Sequence, residues 1–203
     1  AKEYKYAKRV DIIPNYINNI KSHVEDYSVK KAIAVGRLEY QKGFDILIDC
    51  WKEIAKRYPD WKLDIYGEGS CREELQRQIN SLQLVDKVKL CGRNNNIIDI
   101  YPLYSLHLMT SRYEGLPMTL IEAQACGLSS VVFDYQYGAS DIVSNGHNGL
   151  IIEQGNRKLF IEAAMKMMSS KELRKEYGTN AISISKQYYR ENIINKWIQI
   201  INN

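Results

Sequence analysis

Short apolar runs rich in valine and isoleucine recur along the chain, each closing on glycine or a small polar residue, with stretches of helical periodicity between them. The runs predict strands over Lys31 to Gly36, Trp61 to Gly67, Lys87 to Cys91, Ser105 to Thr110, Ser129 to Asp134 and Gly149 to Glu153. They lack strict alternation, so both faces of the sheet are expected to be covered. Between them, Phe44 to Arg57 sets Phe44, Leu47, Ile48, Trp51, Ile54 and Ala55 on one face at 3.6-residue spacing. Ser70 precedes a charged helix reaching about Leu82, with Glu73 three positions on as a capping box. Further helices are expected over Asn156 to Ser170 and Lys171 to Gln187, and a final amphipathic helix near Glu191 to Ile201. Six strands alternating with helices predict an α/β fold: a Rossmann-like, doubly wound, mostly parallel six-stranded sheet with helices on both faces. Its ligand belongs in the crevice beyond the carboxyl ends of the strands, so the chemistry is expected in the loops that follow them.

At 203 residues the chain suffices for one well-packed α/β domain or two small ones, and no linker or repeat divides it. A formal charge of +4 is too small and dispersed to argue for nucleic acid by itself and suits a phosphate-bearing ligand equally well, so no nucleic-acid partner is expected. No apolar run approaches the ~18 residues that cross a bilayer, and the start, AKEYKYAKRV, lacks the apolar core of a secretion signal. The expected location is therefore cytoplasmic, with any membrane contact peripheral. Cys50, Cys71, Cys91 and Cys126 form no C-x-x-C pair and are expected to be free, mostly buried thiols. His107, inside a strand, is expected to be a core histidine with its polar atoms satisfied, and Tyr4/Tyr6 and Tyr188-Tyr189 to serve packing and surface.

Four loops carry the candidate chemistry. After the first strand, Gly36-Arg37-Leu38-Glu39-Tyr40-Gln41-Lys42-Gly43 sets two cations where a helix opens. Helix amides and the charges of Arg37 and Lys42 suit phosphate oxygens, although two solvated surface cations fit the loop equally well. The second strand ends in Gly67-Glu68-Gly69, a tight turn, but Arg72 stands where a G-x-G-x-x-G dinucleotide pattern needs its third glycine. The third leads to Gly92-Arg93-Asn94, either a plain turn or a frame for the edge of a base. The fourth runs into Ser111-Arg112-Tyr113-Glu114-Gly115-Leu116-Pro117, with Pro117 suited to the first helical position and free amides expected near Met118, Thr119 and Leu120. Glu122, inside that apolar helix, needs a partner or a wet crevice. A ribose diol would serve, as would a single solvent-facing stripe.

With these motifs in hand, the chain resembles glycosyltransferase family 4, the retaining group of the two-domain GT-B type, and specifically its C-terminal donor domain. The resemblance runs through Ile13-Pro14-Asn15, VGRLEYQKG at Val35 to Gly43, YGEGS at Tyr66 to Ser70, SRYEGLPMTLIEAQACG at Ser111 to Gly127 and NGHNGLII at Asn145 to Ile152. It implies that the whole chain, 1–203, is a donor-binding domain whose N-terminal, acceptor-binding partner lies outside these residues. Arg37 and Lys42 would grip the diphosphate with Gly36 and the amides of Gly115, Leu116, Pro117 (by its turn), Met118 and Thr119. Glu114 would meet sugar hydroxyls, Glu122 the ribose, and Gly67, Gly69 and Arg93 the base. Catalysis would rest on Glu114, Arg37 and Lys42, with a UDP-sugar as the default donor and neither cofactor nor metal. The parent would build a surface polysaccharide or glycolipid on an acceptor sugar or lipid-linked glycan, and the fragment alone would transfer sugar poorly. Serines at Ser129-Ser130, where the family often has proline, and the loop from Asp134 to Asp141 depart from its pattern and are expected to act on donor-sugar selection. A non-catalytic nucleotide-binding module and a sugar-nucleotide epimerase are the competing readings.

Overall fold

The computed structural model describes residues 10–135 and 138–202, so Tyr4, Tyr6 and the Gln136-Tyr137 part of the variant loop lie outside the described residues. Six strands, β1 (Lys31–Val35), β2 (Lys62–Tyr66), β3 (Val88–Gly92), β4 (Leu106–Met109), β5 (Ser130–Asp134) and β6 (Gly149–Glu153), form one parallel sheet in the order β3-β2-β1-β4-β5-β6. All six coincide with the predicted runs to within a residue at each end, β3 being shifted one residue later to end on Gly92. Helices α1 (Phe44–Arg57), α2 (Arg72–Ser81), α3 (Ile97–Ile100), α4 (Met118–Ala125), α5 (Ala139–Ile142), α6 (Arg157–Ser169), α7 (Lys171–Ser185) and α8 (Arg190–Ile201) connect and flank them. The two short helices α3 and α5 were not anticipated, because a single turn shows no periodicity.

Two cores form, one on each face of the sheet. Ala32 and Ala34 of β1, Leu106 and Leu108 of β4, and Val131 and Phe133 of β5 face Leu47, Trp51 and Ile54 of α1 and Phe160 and Met167 of α6. Their neighbours Ile33, Met109 and Val132 face Leu120 and Ile121 of α4 together with Ile17, Ile20 and Tyr27 of the N-terminal segment. The period-2 alternation of strands thus serves two apolar faces at once, which is why the runs read as continuously hydrophobic. The N-terminal segment is held to the end of the chain by backbone bonds from Ile17 N–H to the Tyr188 carbonyl (2.9 Å) and from Arg190 N–H to the Ile17 carbonyl (3.0 Å).

Parallel strands that wind outward in both directions from a central pair leave a crevice where the direction reverses. That point lies between β1 and β4. Their pairing covers only Ala32 with Leu106 and Ile33 with His107, so the strand ends diverge and the loops that follow them fill the gap.

Three local expectations are corrected. Ser70 does not form a capping box with Glu73: α2 starts at Arg72 after Cys71, and no side chain caps it. The Ser70 amide and hydroxyl instead bond Glu39, at 2.9 and 2.7 Å, because the β1 loop lies against the β2 loop and delivers a carboxylate there first. Pro117 stands one position ahead of the first helical residue, in extended conformation. Leu120 N–H already bonds the Pro117 carbonyl (3.0 Å), so the amides left open at the start of α4 are those of Met118 and Thr119. Ser130 belongs to the interior: its Oγ accepts from Gln124 Nε2 (3.0 Å) and lies 3.2 Å from His107 Nδ1, in a buried network closed by Asn148 Nδ2 donating to Gln124 Oε1 (2.7 Å). Its departure from the family pattern therefore serves packing between β4, α4 and β6.

His107 is the core histidine expected, 1% exposed, and burial, aided by the charge of Lys42, pushes its pKa down to about 3. In the unfolded chain it titrates near 6.5. The unfolded state therefore binds the extra proton between pH 6.5 and 3, and stability falls as pH drops through that window by up to about 1.4 kcal/mol per unit. His107→Met removes this term. Its melting temperature should fall less than that of wild type between pH 7 and pH 4 in calorimetric scans, and parallel pH profiles would contradict the assignment.

Candidate functional site

The loops after β1 and β4 are stitched together at the switch point. Gly43, at the start of α1, has a left-handed φ of 63°, and a Cβ there would collide with the Thr110 carbonyl oxygen. Glycine alone lets α1 begin this close to the end of β4. Thr110 Oγ1 donates to the Gly43 carbonyl at 2.8 Å, and Arg112 N–H to the Gln41 carbonyl at 2.8 Å. Arg112 also forms a two-point pair with Asp45 (2.8 and 2.6 Å) and lies over the Tyr40 ring at 3.8 Å. Burial works against the Asp45 charge, but the Arg112 guanidinium outweighs it and holds the carboxyl below its ordinary range.

This stitching brings Lys42 to Glu114. The ammonium lies 2.6 Å from Glu114 Oε1, with the two side chains only 13% and 7% exposed. Ser111 Oγ donates to the same oxygen at 2.7 Å, and Gln41 Nε2 lies 3.3 Å from Oε2. The Lys42 methylenes cross directly over Gly36, where any side chain would press on them. Lys42 and Glu114 therefore satisfy each other.

Arg37 is exposed and opens onto a cleft of about 490 Å³ that Val35, Gly36, Tyr66, Gly67, Glu68, Arg93, Asn94 and Ile97 also line. The first, second and third candidate loops thus converge, and Gly67 makes it possible: its φ of 148° brings its backbone against the Gly36 carbonyl, leaving no room for a Cβ. Gly69 does not reach this cleft. It packs on the Leu38 carbonyl, holding the turn that Glu39 and Ser70 close.

Gly115 and Leu116 border a different hollow, of about 630 Å³, shared with Ile12 to Asn15, Asp141, Tyr188 and Lys196. Asp141 of the variant loop is thereby set beside the glycine-containing turn. Met118 and Glu122 line a third, of about 510 Å³, with the stretch from Tyr16 to Ser22 and with Ile98 and Asp99. Ile97 of the first hollow and Ile98 of the third are consecutive in α3, and Leu116 of the second and Met118 of the third flank Pro117. Thr119 turns its carbonyl to the Tyr101 hydroxyl (3.1 Å).

Glu122 is half-buried, has no hydrogen-bond partner among the described residues, and is pushed by burial above the usual carboxylate range. With Met118 and Thr119 it forms the one accessible stripe of α4, so the solvent-stripe and ligand readings share one geometry. Among the described residues no three His, Cys, Asp or Glu side chains cluster to hold a metal ion. The four cysteines are free, Cys50 and Cys126 buried, Cys71 and Cys91 half-buried. No helix among the described residues is long and apolar enough to cross a membrane.

Residues 16–184 match the family model for glycosyl transferases group 1. The chain belongs to that family. It is similar to the amylovoran biosynthesis glycosyltransferase AmsD of Erwinia amylovora, at 34% identity over 95% of this chain and 54% of AmsD. It is also similar to the poly(glycerol-phosphate) alpha-glucosyltransferase of Bacillus subtilis, at 30% identity over 85% of this chain and 26% of that enzyme. In structure, this group 1 chain superposes on S. aureus TarM, solved with Fondaparinux, alpha-GlcNAc-glycerol and UDP, with a TM-score of 0.92 and 26% identity, covering all of this chain and 41% of TarM. The group 1 chain thus spans about half or less of these three relatives.

Gln41, Ser111 and the Arg112–Asp45 clamp escaped sequence reasoning. In that loop the charges of Arg37 and Lys42 stand out and the neutral Gln41 does not, and the partner of Asp45 lies 67 residues away in sequence. Removing one member of the buried pair leaves a charge without its counterpart. Lys42→Met should lower unfolding stability in urea by about 3 kcal/mol, and adding Glu114→Gln should recover more than half of that. Simple additivity of the two losses would show that the pair is not coupled.

Proposed function

We propose that this chain is the nucleotide-sugar donor domain of a retaining family 4 glycosyltransferase of the GT-B type, acting at the cytoplasmic side in surface-polysaccharide or glycolipid assembly. The convergence of Arg37, Lys42 and Glu114, linked through Gln41, at the β1–β4 switch point carries this reading. The cleft beside Arg37 takes the nucleotide: Arg93 and Asn94 face the base, and Arg37 the diphosphate. Glu122 accepts the ribose hydroxyls, which would satisfy a carboxylate that has no hydrogen-bond partner among the described residues. Glu114, next to Gly115, reads the sugar.

Glycosyl transfer puts negative charge on the departing diphosphate. Arg37, Lys42 and the amides of Met118 and Thr119 are placed to stabilise it, the role that a divalent cation fills in metal-dependent transferases. Lys42 reaches the phosphate by exchanging its bond to Glu114, and Glu114 then turns to the sugar hydroxyls. An acceptor, a sugar or lipid-linked glycan, is supplied by a further domain of the parent protein, so the isolated chain should bind donor and transfer little. UDP is the favoured nucleotide, supported by its presence in the TarM complex.

Calorimetry with UDP, GDP and ADP tests the reading. UDP should bind most tightly, and Arg37→Ala should weaken it by roughly tenfold, the worth of one charge-assisted contact. Absence of binding by all three nucleotides would sink the donor-site assignment.

A further inference from the structure

We propose that Gln41 is a positioning residue that ties Arg37 to Glu114 and so couples diphosphate binding to sugar recognition, an inference that rests on the donor-site reading above. Gln41 lies between the two cations of its loop, in the single turn Tyr40–Lys42 that precedes α1. Its side-chain oxygen accepts from Arg37 Nη2 at 3.4 Å. Its side-chain nitrogen donates to the Tyr113 carbonyl at 2.9 Å and to Glu114 Oε2 at 3.3 Å. One neutral group thereby touches the cation facing the nucleotide cleft and the carboxylate beside the Gly115 turn.

The amide is suited to this place by chemistry. It offers an acceptor on one side and two N–H donors on the other, so it can serve a guanidinium and two oxygens together. Lys42 and Ser111 hold Glu114 Oε1, which leaves Oε2 to Gln41 and fixes the plane of the carboxylate. Arg37, exposed on its loop, has Gln41 as its side-chain hydrogen-bond partner. Without that anchor a long, rotamer-rich side chain would be ordered only on binding the diphosphate, which weakens capture. A glutamate at position 41 would keep the acceptor for Arg37 but turn a carboxylate on Glu114 and the Tyr113 carbonyl. When protonated, it would again present one acceptor and one donor.

The test measures affinities of the chain for UDP and UDP-N-acetylglucosamine by calorimetry, with melting temperatures as a check on folding. Gln41→Met should weaken UDP by about tenfold, and this loss should shrink to less than twofold in an Arg37→Ala background, because the lost contact acts through Arg37. Gln41→Glu should be impaired at pH 8 and regain affinity relative to wild type as pH falls to 5, which a merely structural role would not produce. Equal losses for Gln41→Met with and without Arg37, or a pH-independent ratio of Gln41→Glu to wild type, would overturn the proposal while leaving the donor site intact. Failure of wild type to bind either nucleotide would overturn both.

Discussion

The site depends on how closely the start of α1 approaches the end of β4. Gly43 sits against the Thr110 carbonyl with no space for a side chain, and every contact across the switch point follows from that distance. Were α1 to start an ångström or two farther out, Lys42 could not bury its ammonium on Glu114, nor Gln41 reach the Tyr113 carbonyl. The Arg112–Asp45 clamp works in the same direction, fastening the β4 loop to the first turn of α1 from the outside. The inner pair is costly to desolvate, so it favours this one arrangement of the loops only because Ser111 and Gln41 satisfy the remaining carboxylate valences.

The sheet was legible in the sequence because each strand is buried on both faces. Val131-Val132-Phe133 divides between the two cores, and such unbroken apolar runs between helical periods have few other readings. The candidate anchors Arg37, Lys42 and Glu114 stand out because they sit after strands and beside glycines, and Glu122 because it is a carboxylate inside an apolar helix. Less legible were the partnerships. Ser70 and Glu73 carry the local signature of a capping box, yet Glu39, 31 residues upstream, takes Ser70 because loops after neighbouring parallel strands lie side by side. Local rules describe which bonds a residue can make, whereas the topology decides which partner arrives.

The same distinction separates the serine departures from the loop that follows them. Ser130 is drawn into the Gln124–Asn148 network beneath α4, a place where a hydroxyl bridges an amide and a neutral histidine, so its identity is set by the interior. Asp141 emerges at the hollow shared with Gly115 and Leu116, where a change of side chain alters what fits. Neighbours in a motif can thus answer to different constraints.

The two glutamates of α4 and its approach loop show what rest and readiness look like in one element. Glu114 has donors on both oxygens from within the protein, so a ligand hydroxyl must displace one of them, and the gain is only the difference between two hydrogen bonds. Glu122 has none among the described residues, and burial already disfavours its charge. A hydroxyl that reaches it removes a standing penalty, which makes the gain larger. On the donor-site reading, the ribose end therefore supplies affinity and the sugar end supplies discrimination: a sugar whose hydroxyls cannot match the donors that Lys42, Gln41 and Ser111 already provide has no advantage over leaving the pair closed. On that reading, selectivity arises from competition with an internal partner.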